Sequence, residues 1–399
     1  MKWFEWPILI YFAIHFFPPA PPALASLCLI LGTFGILWEK RRQDYFGMAV
    51  LNIPIVWVWC LLTGLMIASL LQVPPDLQRE SWNQLQSTFL KGSLFGLAMA
   101  TYLDSAQRVR RLLWAGMYAG IYMLLHCAFD TLWGIYTIGN LPFQRDYLFW
   151  LVFFFPFALS TFALKQGIER ILAIFSAAGI FALAILTGFR GATLALLSML
   201  LMYSVFIRLW SVLLGGLGLA GIGIGTLAIW SPTQTDYLFA KFRQLDDSER
   251  FSGHWLPAWD MAMLNPWTGK GFGHDVFAYQ FARNQPDHPL WTWHTGVLPR
   301  GQHSIFLETL FSAGWPGLLS FLMLSGLLVG SLGRILWQER HLLRQSPWLL
   351  LSLAILTSYI GNFLIFYQFE TPAWRTLPIT VAIAAAIISA RRTPAWKIS

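Results

Sequence analysis

Charge is what this chain has least of. Asp, Glu, Lys and Arg make up 12% of its 399 residues, about half the share found in soluble globular domains. With 56% apolar residues in long runs, that deficit excludes an ordinary soluble protein and points to a polytopic, α-helical membrane protein. Cysteine is almost as scarce. Cys28, Cys60 and Cys127 all lie inside apolar runs, where they read as small core residues, and their spacing excludes a disulfide framework or a thiolate metal site. Histidine is sparse too, with no i, i+4 pair and no His-Glu-x-x-His arrangement, so metal: none is the expectation. Gly269-Lys270-Gly271 lacks the spacing of a nucleotide phosphate loop. Gly216-Leu-Gly-Leu-Ala-Gly221 matches a dinucleotide fingerprint in letters only. It sits inside an apolar run with no strand before it, and close helix packing through small residues accounts for it better. No fixed-period repeat, coiled coil or duplicated half is evident, and the first apolar run ends at Pro18 and Pro19 without a small-residue cleavage pattern, so it is expected to remain as a membrane helix.

What the chain has in abundance is apolar length. Stretches able to span occur near 3–17, 22–38, 46–71, 84–103, 111–129, 147–164, 170–187, 191–208, 210–230, 304–333, 347–367 and 373–390, about twelve helices in all. The 21 Trp suit interfacial belts. The net charge of +8 follows from basic loops rather than from nucleic-acid binding. With the N-terminus placed in the cytoplasm, Lys2, Lys40, Arg41, Arg42, Arg108, Arg110, Arg111, Lys165, Arg170, Arg208, Arg334, Arg340, Arg344, Arg391, Arg392 and Lys397 all fall inside. The short outer connections keep only Arg79, Lys91, Arg145, Arg190 and Arg375. The expected division is therefore 1–230 as transmembrane helices, 231–302 as one long extracytoplasmic loop with short surface helices, and 303–399 as the last transmembrane helices. Loops of that length usually carry function. Within it, 254–264 has the look of a helix lying on the membrane face and ended by Asn265-Pro266. Thr268 to Gly273 reads as a turn-rich loop, and 286–302, with three prolines, as irregular chain.

The residues able to do chemistry gather at the outer ends of these helices. His303 stands where the loop meets a long apolar helix, at a depth where a titratable imidazole needs a task or a partner. Taken alone, any of His254, His274, His288, His294 and His303 is more often structural than catalytic. Glu308, five residues on, fits either a helix N-terminus or a buried polar partnership. Thr187-Gly-Phe-Arg-Gly-Ala192 puts Arg190 at an outer interface that otherwise avoids basic residues. The bland account is snorkelling to lipid headgroups. The functional one is anion capture by a planar guanidinium flanked by two glycines, aided by a helix N-terminus if 191 onward is helical. Arg250 is either an ordinary loop arginine beside acidic neighbours or a second phosphate clamp. Lys270, Arg283, Arg300 and His254 are weaker candidates.

Three pieces, in order, resemble the O-antigen ligase family. They are Leu186-Thr-Gly-Phe-Arg-Gly-Ala192, then Arg250 with Trp255, Ala258-Trp259 and Asn265-Pro-Trp-Thr-Gly-Lys-Gly-Phe-Gly273, then His303-Ser-Ile-Phe-Leu-Glu308 with Gly314 and Gly317-Leu318. O-antigen polymerases and bacterial O-oligosaccharyltransferases share similar pieces. The strong resemblance covers about 180–320; the earlier part matches in hydropathy alone. Where the family often has Asn after the motif histidine, this chain has Ser304. The resemblance implies a membrane-embedded, GT-C-like glycosyltransferase without a cofactor, acting at the periplasmic face of the bacterial inner membrane. Its donor would be undecaprenyl-diphosphate-linked O-antigen and its acceptor lipid A-core oligosaccharide, with membrane lipids as surroundings. It implies that His303 is catalytic and that Arg190 and Arg250 bind the diphosphate. A polymerase or oligosaccharyltransferase using the same donor is the nearest alternative, and a lipid or glycan transporter or flippase the alternative of another class. The latter fits less well, because the polar residues cluster in one loop rather than at mid-membrane.

Overall fold

A segment that lies in lipid has to close its own backbone hydrogen bonds, and a helix does this without help from its neighbours. The structure, a computed structural model, describes residues 2–14, 22–41, 50, 52–138, 147–164, 167–208, 250–292, 299, 301–368 and 374–392, with scattered positions between 210 and 236. Among the described residues it is helix and turn throughout, with no strand. The first half comprises α1 (Glu5–Ile14), α2 (Pro22–Arg41), α3 (Pro54–Ala68), α4 (Pro75–Leu85), α5 (Lys91–Tyr102), α6 (Ala106–Ile138), α7 (Leu148–Leu164), α8 (Ile168–Leu186) and α9 (Arg190–Ile207). After it come α10 (Leu256–Leu264), α11 (His274–Asn284), α12 (Ile305–Gln338), α13 (Pro347–Tyr359) and α14 (Thr376–Arg391). Helices thus occupy the expected apolar stretches except 210–230, which lies largely outside the described residues.

About twelve spans were expected; among the described residues, six helical segments are long and apolar enough to cross a membrane: Pro54–Gln72, Ala106–Thr131, Ile168–Leu186, Arg190–Ile207, Ile305–Gln338 and Pro347–Gln368. Leu24–Ile36, Leu148–Leu164 and Thr376–Arg391 are apolar but shorter. Hydropathy windows register apolar character, whereas spanning also demands unbroken helical length of about 20 residues. Shortness does not place a helix at the edge: Leu148 and every residue from Leu151 to Thr161 of α7 are buried, which marks a helix surrounded by others. It packs on α6, α8 and α13. Hydroxyls tie these neighbours together, Ser160 Oγ donating to the Leu350 carbonyl at 3.0 Å and Ser358 Oγ to that of Phe153 at 3.2 Å. Cys28 and Cys127 are buried, as expected of small core residues, but Cys60 is exposed. It faces outward on α3 beside exposed Trp57 and Leu61, on a surface suited to lipid rather than to water.

Two contacts fix which helix ends lie together. Tyr147, just before α7, donates to Asp130 on α6 at 2.6 Å, and Thr161 near the other end of α7 donates to the Leu113 carbonyl at 3.3 Å. The Arg108 end of α6 is therefore opposite the end where α7 begins, α8 finishes and α9 starts.

The long helix α12 is broken at Ala313 and Gly314, whose backbones are non-helical. Such a break orphans carbonyls and amides that lipid cannot satisfy. The loop after α10 supplies partners. Lys270 N donates to the Phe311 carbonyl at 2.7 Å, Gly271 N to Ser312 at 3.2 Å, and Trp315 N to the Pro266 carbonyl at 2.7 Å. Two glycines make the approach possible. Both have positive φ, and a Cβ on Gly269 would stand 2.4 Å from the Ser312 oxygen, one on Gly314 2.4 Å from that of Pro266. The turn-rich loop read from Thr268 to Gly273 is thus a plug in a kinked helix.

Candidate functional site

Arg190 owes its place to a helix stop followed at once by a helix start. Gly188 takes φ 62°, the left-handed conformation that closes a helix with little strain on glycine. Phe189 N donates to the Ala184 carbonyl at 3.2 Å and Gly188 N to that of Ile185 at 2.9 Å, the paired bonds of a Schellman ending. α9 then begins at Arg190 itself. The guanidinium sits at the positive end of an 18-residue helix, where both side chain and backbone favour an anion.

His303 lies at the start of α12 with φ 49°, one of two non-glycine residues with positive φ among those described. A backbone of this kind costs an L-residue about 1–3 kcal/mol and persists only where its surroundings over-determine it. Ser304 caps the helix, accepting from Leu307 N at 3.5 Å and donating to Gln368 Oε1 at 2.9 Å. Trp255 Nε1 donates to the His303 carbonyl at 3.3 Å. His254 donates through Nδ1 to the Gly301 carbonyl, and its ring meets the His303 ring edge-on at 4.2 Å between centroids.

His254 and Trp255 come from a π-helical turn, Phe251–Trp255, that leads into α10. The surface helix expected over 254–264 is thus present as this turn plus α10, ends at Asn265 as expected, and packs on α12. Burial holds the His254 imidazole in its neutral form, with a pKa pushed down to about 3. His303 and Arg250 add to the depression, while the Gly301 bond opposes it. Arg250 is the residue immediately before this turn and is half-buried.

These two assemblies share one end of the bundle. Phe189, next to Arg190, packs its ring on Phe366 at 5.3 Å, in the turn Phe366–Gln368 that also carries the Ser304 partner. The turn after α13 thereby links the start of α9 to the start of α12. Lys270 is spent partly as a plug through its backbone amide, and its ammonium is pushed down by burial and by Arg283. Glu308, in the first turn of α12, is buried and accepts from Trp374 Nε1 at 2.6 Å. Of the two roles the sequence allowed, this is the buried polar partnership. His274 opens α11 and its amide donates to Gln84, while His288 stacks on Trp291 at 4.2 Å. Arg300 and His294 lie outside the described residues. Among the described residues no group of three His, Cys, Asp or Glu side chains is arranged to hold a metal ion. Gln368, 64 residues from Ser304, and Trp374 were not foreseen, because nothing in their local sequence marks them.

Fold and site together define an integral membrane protein of helices whose arginine- and histidine-bearing helix starts are collected at one end. The comparisons with known proteins name the class more closely. Residues 172–322 match the family described as O-antigen ligase, a span that contains Arg190, Arg250 and His303. The chain is also 25% identical over 370 residues to an O-antigen ligase of Salmonella typhimurium (strain LT2), covering 89% of this chain and 90% of that protein. The resemblance carried by the three motifs therefore extends, at this level of identity, over most of the chain.

Proposed function

We propose that this protein transfers an O-antigen glycan from undecaprenyl diphosphate to lipid A-core oligosaccharide at the periplasmic face of the inner membrane, by a metal-independent, inverting displacement. What supports this reading above all is the shared end of the bundle. A helix start bearing a guanidinium and a strained turn bearing an imidazole meet through the Phe366–Gln368 turn.

The reaction needs two things at once. An acceptor hydroxyl has to lose its proton as its oxygen attacks C1 of the donor sugar. The C1–O bond to the diphosphate has to break with its electron pair, adding one negative charge to the leaving group. His303 accepts the proton, help of a kind typically worth ~10²–10⁴ in rate. Arg190, with the N-terminus of α9 behind it, stabilises the charge that accumulates on the leaving diphosphate. Arg250 is the second guanidinium of the pair. One attack from the face opposite the leaving group inverts the anomeric centre. The polyprenyl tail lies against the apolar outer faces of the helices.

Transfer by the purified protein from a synthetic lipid-linked donor to lipid A-core tests the reading. Product formed in the presence of chelator supports it, and its absence with a competent donor overturns it. Deletion in the native host separates ligase from polymerase. Loss of a ligase leaves bare core while polymerised lipid-linked glycan accumulates, whereas loss of a polymerase leaves core carrying one repeat. A transporter would move the donor across vesicles without making product.

A further inference from the structure

We infer that His254 is a positioning residue for His303, clamping the turn that presents the motif histidine. The inference rests on the reading of His303 as the base. Three observations carry it. First, the turn is strained: His303 has φ 49°, so something outside the turn has to hold it. Second, consecutive residues of one π-helical turn grip it from the same side, His254 through the Gly301 carbonyl and Trp255 through the His303 carbonyl. Third, the His254 ring is the surface against which the His303 ring rests, at 4.2 Å and 68°. A carbonyl can only accept, so Nδ1 of His254 carries the proton and the tautomer is set. π-turns are uncommon and concentrate at functional sites; this one places adjacent side chains on one loop. Arg250 stands at the head of the same turn. His254 touches no substrate in this scheme. It fixes where His303 points.

The test uses the full-length protein in detergent or nanodiscs. His254→Phe keeps a ring against His303 and removes the donor, while His254→Asn keeps a donor close to where Nδ1 stood. The readouts are kcat and donor KM, together with the rate at which diethyl pyrocarbonate modifies His303, followed by mass spectrometry at pH 7. The phenylalanine variant should lose about tenfold or more in kcat with donor KM changed by less than about twofold, as expected when a reacting group is held in the wrong place. The His303 modification rate should change severalfold, and the asparagine variant should restore both. A folded His254→Phe protein whose kcat and His303 modification rate both match wild type overturns the proposal. Should that variant fail to fold, His254→Gln replaces it, since Gln puts its amide where Nε2 stood; wild-type behaviour there overturns the proposal equally. If modification of His303 responds as expected but His303→Ala still transfers glycan, the clamp stands and the assignment of His303 as base falls.

Discussion

The two ends of the helical bundle handle polar groups in opposite ways. At one end, charges cancel inside the fold. Arg108 reaches Glu5 at 3.0 Å, Glu39 at 2.9 Å and Asp104 at 2.8 Å, while Arg111 adds to Glu5 and Lys2 to Glu39. Glu5 and Arg108 are almost fully buried. At the other end, the groups of interest are placed through backbone carbonyls, an aromatic edge and a neutral amide: Gly301 and His303 oxygens, the His254 ring, Gln368. The first arrangement neutralises charge and stabilises architecture. The second shapes backbone around an imidazole at the same end of the bundle as the start of α9, the arrangement on which the proposed transfer rests. Ionisable residues near a membrane thus divide by what holds them, and only the second kind argues for chemistry.

Breaking each end in turn should give different losses. His303→Ala is expected to remove ~10²–10⁴ of the transfer rate while the protein still inserts and purifies as a folded species; near-normal transfer would restore the bland reading of this histidine. Arg108→Ala takes from buried Glu5 one of its two arginine partners and removes the guanidinium shared by Glu39 and Asp104; taking one member out of a buried ion-paired group costs up to about 3–5 kcal/mol. Thermal unfolding in detergent should fall clearly, while turnover per folded molecule stays near wild type. A stable but inactive Arg108→Ala protein would erase the contrast between the ends. Arg190→Lys keeps charge and loses the planar fork, so turnover should drop by roughly tenfold, the scale of a single lost charge-assisted hydrogen bond. Turnover equal to wild type would make Arg190 a lipid anchor.

The smallest effect concerns pH. His254 titrates near 3 in the fold against an ordinary value of 6.5. Between those values the unfolded chain binds the proton and the fold does not, so stability falls as pH drops from about 6.5 toward about 3 and is fully present above that window. The melting temperature should decline on acidification from pH 7 to pH 5, and less steeply in His254→Asn. Equal declines in both proteins would show that burial of this imidazole does not govern acid sensitivity.

Much of the fold was legible in the sequence because its determinants are local. Apolar length placed helices α1 to α3, α5 to α9 and α12 to α14 but not the polar α4 and α11, Asn265-Pro266 ended α10, and Thr187-Gly-Phe predicted a boundary that proved to be a Schellman ending. The number of spans was less legible. Hydropathy does not distinguish a lipid-facing helix from α7, which is apolar because other helices enclose it. Of the four histidines near the loop that the structure describes, His254 and His303 converge, and the sequence held no mark that His254 would be the partner, since the two are brought together by a fold-back of the chain.

Apolar length and turn chemistry depend on neighbours along the chain, so residue order settled most of the helices and several of their boundaries. Tertiary structure alone decided that Gln368 would cap the turn at Ser304, that the loop at Gly269 would plug the break at Gly314, and that His254 would press on His303. Those contacts join segments far apart in sequence. Their partners are selected by which faces meet once the helices pack and which backbone groups the kinks leave to be satisfied, and neither quantity is written into any short stretch of the chain.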